Sequence, residues 1–173
     1  MVEPVSIGLV GCGVISSAYL KAASIFKPPN FTACADIDTA ASAKCGENFD
    51  IPSMTVEELL ARDDIEVILN LTIPSAHADV NIAALQSGKH AYCEKPFALN
   101  TTEGKRVLQE AEERSLRVGC APDTFLGGGH QTVRNALDEG AVGVPIAGTA
   151  FMMNHGHESW HPNPAVYYKE GGG

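Results

Sequence analysis

One pattern constrains this chain more than any other: short apolar runs, too brief for helices, alternate with stretches of helical composition. The runs are Val5–Val10, Phe31–Asp36, Val67–Leu71, His90–Cys93 and Arg117–Cys120. Val5–Val10, bounded by Pro4 and Gly11, suits a strand buried on both faces. A helix is expected from Val14 to Phe26, stopped by Lys27-Pro28-Pro29, because proline cannot continue one. Thr39–Asn48 is Ala-rich and helical in composition. Thr55-Val56-Glu57-Glu58 reads as a capping box, and Asn100-Thr101-Thr102-Glu103 repeats that logic ahead of a helix to Arg114. Ser75 is expected to cap a helix that runs to Gln86 and ends on Ser87-Gly88. Strand and helix alternating with short connections give an α/β fold, a doubly wound and mostly parallel sheet with right-handed crossovers.

The regime changes after Pro122. Gly127-Gly128-Gly129 leads into a helix over His130–Glu139, and Ile146–Met153 reads as a strand of a different sheet. No internal repeat or low-complexity linker separates the two regions.

Strand one ends in Gly11-Cys12-Gly13-Val14-Ile15-Ser16, two glycines of a G-x-G-x-x-G fingerprint with Ser16 in the third place. The first glycine allows a tight turn, the second lets backbone approach a pyrophosphate, and the helix that follows presents unpaired amides to it. A plain strand-to-helix turn needing positive φ is the alternative for the glycines alone. Asp36 ends strand two, the place where a carboxylate receives the adenosine ribose hydroxyls of a dinucleotide in a Rossmann fold. A helix-start acid is the other reading of Asp36, a role that Asp38 fits better. The Asp36 carboxylate would repel a 2′-phosphate, and Ile37, Asp38 and Thr39 bring no Arg or Lys, so NAD is favoured over NADP. The expected cofactor contacts begin with Gly11, Gly13, Val14, Ile15, Asp36 and Ile37.

Glu94-Lys95-Pro96 follows directly on the His90–Cys93 strand, at the carboxyl edge where doubly wound folds bind ligands. Alone, so short a run is equally a surface loop. Taken together, Gly8-Leu9-Val10-Gly11-Cys12-Gly13, Leu71-Thr72-Ile73-Pro74-Ser75-Ala76-His77 and Gly88-Lys89-His90-Ala91-Tyr92-Cys93-Glu94-Lys95-Pro96 resemble the Gfo/Idh/MocA oxidoreductase family over essentially the whole chain. The resemblance implies that Lys95 contacts the reacting hydroxyl or carbonyl, and that Thr72, His77 and Glu94 line the cofactor site together with Ile73 and Pro74. One departure stands out: the family reads Thr-Pro with His four residues beyond the proline, whereas here Ile73 holds the proline place and Pro74 comes one later. His77 can also be read as a solvated residue in a first helical turn.

The resemblance also implies a division at Pro122: residues 1–122 as the dinucleotide-binding domain, and 123–173 as the incomplete start of an α+β substrate and oligomerisation domain. The family's Asp-x-Gly-x-x-His segment, which supplies a catalytic His, is absent here, so the chain alone is expected to be inactive and the longer protein a homo-oligomer. His155-Gly156-His157-Glu158-Ser159-Trp160-His161 could line a sugar or polyol pocket through His157, Trp160 and His161, with Asp123 a further candidate; an ordinary surface loop fits the same residues. Pro and Gly keep His155, His157 and His161 off one face of a helix or strand, so no metal is assigned.

Composition narrows the classes further. The 173 residues are 45% hydrophobic and 19% charged, values of a chain that can build a core. A net charge of -9 with no basic cluster argues against a nucleic-acid partner. Five cysteines, widely spread and without a C-x-x-C pair, read as reduced, mostly buried small apolar residues. No basic leader precedes a long apolar run, so no membrane partner and a cytoplasmic setting are expected. The expected activity is hydride transfer between NAD(P) and a sugar, inositol or related polyol. An NAD(P)-sensing regulator without turnover, or an NAD-dependent glycoside-cleaving enzyme, are the alternatives.

Overall fold

The computed structural model describes residues 3–27 and 29–169. The described residues divide into two compact units, one ending at Ala121 and the other starting at Pro122.

In the first unit, β1 (Val5–Val10), β2 (Pro29–Ala35), β3 (Ser53–Met54), β4 (Val67–Asn70), β5 (His90–Cys93) and β6 (Val118–Cys120) form one sheet in the order β3-β2-β1-β4-β5-β6. Every pairing is parallel, so each return of the chain needs a crossover. The crossovers are α1 (Ser16–Ala22), α2 (Thr39–Phe49), α3 (Val56–Leu60), α4 (His77–Gln86) and α5 (Thr101–Glu113). Strand order reverses between β2 and β4 on either side of β1, which opens a crevice at the carboxyl ends of the central strands.

Because side chains alternate along a strand, neighbouring residues feed two separate cores. Leu9, Cys34 and Leu69 pack with Leu20 of α1 and Cys45 of α2 on one face. Val10, Ala35 and Ile68 pack with Leu59 of α3, Ala84 and Leu85 of α4, and Val107 and Ala111 of α5 on the other. Leu9, Ile68, Leu85 and Val107 are fully buried, and each such side chain contributes about 1.5–3 kcal/mol.

Local chemistry sets the helix ends. Asp38 caps α2 by accepting from the amides of Ala40 and Ala41. The α3 capping box is complete: Glu58 N–H donates to the Thr55 hydroxyl at 3.1 Å, and Thr55 N–H to the Glu58 carboxylate at 2.9 Å. Asn100 caps α5 through the Glu103 amide, and Gly88, at φ +79°, lets the chain leave α4 in a left-handed turn.

Three expectations are corrected, and one strand is added. α1 covers Ser16–Ala22 rather than Val14–Phe26, because Val14 and Ile15 are spent in the turn that leaves β1. Ser75 caps nothing: Pro74–Ala76 forms a 3₁₀ turn and α4 starts at His77, proline fitting the first position of such a turn. The two-residue strand β3 carries too little pattern to be read from sequence. Ile146–Met153 forms no strand, since β-propensity needs a partner ladder and none pairs with it among the described residues.

The second unit contains 3₁₀ turns at Asp123–Leu126 and Pro164–Tyr168 and one helix, α6 (Gly128–Asp138).

Candidate functional site

Gly11 turns the chain at φ +100°, where a Cβ would lie 2.5 Å from the Leu71 carbonyl carbon and 2.6 Å from its oxygen. Only glycine lets β1 pass so close to the end of β4. At Gly13 nothing lies within 4 Å of where a Cβ would be, so the fold itself does not ask for glycine there. The loop is tied down on both sides of this open spot: Gly11 N–H donates to the Ala35 carbonyl at 2.9 Å, and the Ser16 hydroxyl to the Gly13 carbonyl at 2.7 Å.

Asp36, one residue past β2, stands beside this loop. One carboxylate oxygen accepts from Cys12 N–H at 2.7 Å and the other from Asp38 N–H at 2.9 Å. A carboxylate offers about four acceptor positions, so each oxygen keeps capacity for a further donor. Val14, Ile15, Ile37 and Ile73 are exposed aliphatic residues of the segments that follow β1, β2 and β4. Ile37 is 98% exposed and directly follows Asp36 in the chain.

Beyond β4 the site rests on a buried polar network. Asn70, fully buried, accepts the Thr72 hydroxyl at 2.6 Å and donates to the His77 carbonyl at 3.1 Å and to Asn81 at 2.9 Å. His77 is only 1% exposed, which overturns its reading as a solvated helix-start residue. Its imidazole spans two carbonyls, Pro96 at 2.6 Å from Nδ1 and Thr72 at 3.0 Å from Nε2. The ring thus joins the loop after β4, with Thr72, Ile73 and Pro74, to the loop after β5.

In that second loop Glu94 is held from three directions. Its N–H donates to the Asn70 carbonyl at 3.0 Å, its carboxylate accepts the Tyr19 hydroxyl at 2.7 Å, and the second oxygen accepts Lys95 N–H at 3.0 Å. Lys95 is exposed, and the Lys95-Pro96 bond is cis. The Glu94 carboxylate holds the Lys95 N–H while the Lys95 side chain faces solvent.

Within the second unit, His157, Trp160 and His161 come together with Tyr167, which the sequence reading missed. His157 stacks on Tyr167 with ring centroids 3.8 Å apart, and Trp160 meets His157 edge-on at 5.4 Å. Glu158 accepts the Tyr168 hydroxyl at 2.9 Å, and its own backbone N–H together with that bond holds the Glu158 carboxyl below the usual carboxylate range. Asp123 starts its own 3₁₀ turn and is exposed.

Residues 5–121 match the family model described as an oxidoreductase family with an NAD-binding Rossmann fold. The chain belongs to the Gfo/Idh/MocA oxidoreductase family. Inositol 2-dehydrogenase of Agrobacterium fabrum is 31% identical over 171 residues, covering 94% of this chain and 47% of that protein. 1,5-Anhydro-D-fructose reductase of Ensifer adhaerens is 31% identical over 97 residues, or 56% of this chain and 29% of the reductase. Among solved structures, a 3-ketoreductase from Actinomadura kijaniata, crystallised with NADP and TDP-benzene, superposes with a TM-score of 0.73 at 28% identity, over 80% of this chain and 43% of the reductase. The chain spans less than half the length of these relatives.

Membership of the Gfo/Idh/MocA family agrees with the order of the sheet and the glycine turn, and it assigns the unit up to Ala121 to NAD(P) binding. Among the described residues, no helix is long and apolar enough to cross a membrane. Tyr19, Asn70 and Asn81 are the supports that sequence reasoning did not find. Asn70 and Asn81 carried one weak signal, polar residues inside otherwise apolar segments.

Proposed function

We propose that this chain supplies the cofactor-binding half of an NAD-dependent dehydrogenase or reductase acting on a sugar, inositol or related polyol. The carrying observation is the pairing of Asp36 with the glycine loop: a carboxylate with spare acceptor capacity fixed by Cys12 N–H beside an open cradle at Gly13. That donor and acceptor set fits a dinucleotide, with backbone amides for the diphosphate and a carboxylate for the ribose diol. Asp36 favours NAD, because its charge opposes a 2′-phosphate and Ile37, Asp38 and Thr39 offer no cation. The exposed faces of Val14, Ile15, Ile37 and Ile73 would be covered by the rings.

When bound, the nicotinamide takes up or gives up the hydride. The chain's own part is to position and to move charge. Gly11 shapes the turn, Gly13 admits the diphosphate, and Thr72, Ile73, Pro74 and His77 hold the loop beside the reacting end. His77, with both ring nitrogens on protein carbonyls, acts through the loops it joins. Glu94 and its Tyr19 bond fix the backbone from which Lys95 projects. An ammonium beside the reacting oxygen stabilises developing alkoxide charge and passes a proton, the role proposed for Lys95. For the second unit we propose that His157, Trp160 and His161 present an aromatic and imidazole surface to the polyol, with Asp123 a separate polar contact. Assembly into a homo-oligomer is part of the same proposal.

The test is a titration of this chain with NAD and NADP, followed by a polyol screen of the longer protein that contains it, read at the reduced-nicotinamide absorbance. NAD binding tighter than NADP binding, and polyol-dependent absorbance abolished by Lys95→Ala without loss of NAD binding, is the expected result. Failure to bind either dinucleotide would remove the proposal, and tight NAD binding without turnover on any polyol would replace the enzyme with a sensor.

A further inference from the structure

Three cysteines that lie far apart in the sequence converge beneath the phosphate loop. Cys12 sits between the two glycines, Cys34 is on β2, and Cys45 is on the inner face of α2. Their Sγ atoms all lie within 4.8 Å of one another. Cys34 and Cys45 are 0% and 5% exposed, while Cys12 is half-buried on the loop side. We propose that Cys12, Cys34 and Cys45 form a three-thiolate site for a soft d¹⁰ cation of the class of zinc, cadmium or monovalent copper.

Geometry supports the assignment. Zinc–sulfur bonds of about 2.3 Å in a trigonal arrangement set sulfur atoms about 4.0 Å apart, so side-chain shifts of a few tenths of an ångström close the site. Two ligands come from regular elements, Cys34 on β2 and Cys45 on α2, and Cys12 comes from a loop anchored by its own N–H on the Asp36 carboxylate. The interactions that must be surrendered are weak: Cys12 donates to the Ala35 carbonyl at 3.6 Å and Cys34 to the Ser42 carbonyl at 3.5 Å.

An all-sulfur ligand set selects soft ions and rejects magnesium and calcium, which require oxygen. Thiols hold such an ion as thiolates, so binding must release protons, and affinity rises with pH. The exposed side of Cys12 gives the ion its entry. This inference stands apart from the dinucleotide reading, since it uses only the thiols.

The two other cysteines provide an internal control. Cys93 is on β5 and Cys120 on β6, with β1 and β4 between β2 and β5, a separation of about 14 Å at the usual strand spacing.

The test is to titrate the reduced 173-residue chain with Cd²⁺ alone and follow thiolate-to-cadmium charge-transfer absorption in the ultraviolet. Saturation is expected at one ion per chain, with tighter binding at higher pH. Alkylation mapped by mass spectrometry should show Cd²⁺ slowing the labelling of Cys12, Cys34 and Cys45 while leaving Cys93 and Cys120 unchanged. Cys12→Ala, on the loop and outside the core, should weaken Cd²⁺ at least about tenfold, whereas Cys120→Ala should not. The mapping on the unmutated chain keeps the test valid if Cys34→Ala or Cys45→Ala fails to fold. Absent charge-transfer absorption, protection that falls on Cys93 and Cys120, or unaltered affinity in Cys12→Ala would each overturn the site.

Discussion

Substituting the two loop glycines one at a time should separate what the fold needs from what a ligand needs. In Gly11→Ala the new Cβ would lie 2.5 Å from the Leu71 carbonyl carbon at φ +100°, against a normal contact of about 3.5–4.0 Å. The strained backbone costs about 1–3 kcal/mol and the overlap about 1–3 kcal/mol more, so a loss of about 2–6 kcal/mol is expected. Domains of this kind hold about 5–15 kcal/mol in all, so Gly11→Ala should unfold at a clearly lower urea concentration than its parent. In Gly13→Ala the methyl meets nothing within 4 Å, and the lower entropy of the unfolded chain should leave stability unchanged or raise it by about 0.4–1 kcal/mol. The same methyl would stand where the diphosphate must approach, and NAD affinity should fall at least tenfold, about 1.4 kcal/mol. Urea unfolding followed by circular dichroism gives the first quantity and calorimetric NAD titration the second. A Gly13→Ala chain that binds NAD as tightly as its parent would refute the assignment of the loop, and one that loses several kcal/mol would show that glycine serves the fold there.

Asp36→Ala should weaken NAD by more than it weakens NADP, because the lost carboxylate pairs with the ribose diol of one and opposes the 2′-phosphate of the other; an unchanged ratio of the two affinities counts against the ribose role. His77→Ala removes a ring buried to 1% exposure and the N–H it gives to the Thr72 or the Pro96 carbonyl, a loss of about 2–4 kcal/mol measurable as a lower urea midpoint. The hydrogen bonds that Glu58 accepts from Thr55 hold its carboxyl below the usual range. Its contribution is thus complete above that range and disappears as pH falls through the lowered value. The stability difference between the parent and Glu58→Gln should be largest near neutrality and vanish in acid, and a difference independent of pH would exclude the capping-box account.

The fold was legible where its determinants are local. Short apolar runs at a fixed rhythm with helix-starting residues between them specify strand, helix and cap from a few consecutive side chains, as Thr55 with Glu58 and Asn100 with Glu103 illustrate. It was not legible where a partner decides. Ile146–Met153 has strand composition and no strand, whereas Ser53 and Met54 join the sheet only because β2 lies alongside. Asp38 and Ser75 make the same point within helix starts. Both can cap, but Asp38 precedes a free helical turn, while Ser75 follows Pro74 into a 3₁₀ turn that moves the helix start to His77.

The site divides along the same line. Gly11, Gly13 and Asp36 can be picked out because they directly follow β1 and β2, whose ends the sequence reveals. The supports cannot, since each joins positions far apart in the chain. Tyr19 reaches Glu94 across 75 residues, and His77 reaches Pro96 across 19. These bonds tie the segments after β1, β4 and β5 into one frame, so the Lys95 backbone is set by contacts made elsewhere. A change at Tyr19 or Asn70 should therefore reach Lys95 through Glu94, although both lie far from it in sequence. In this fold the proposed ligand contacts stand at the ends of elements the sequence reveals, and the residues that hold those ends are ordinary side chains whose importance exists only once the sheet has formed.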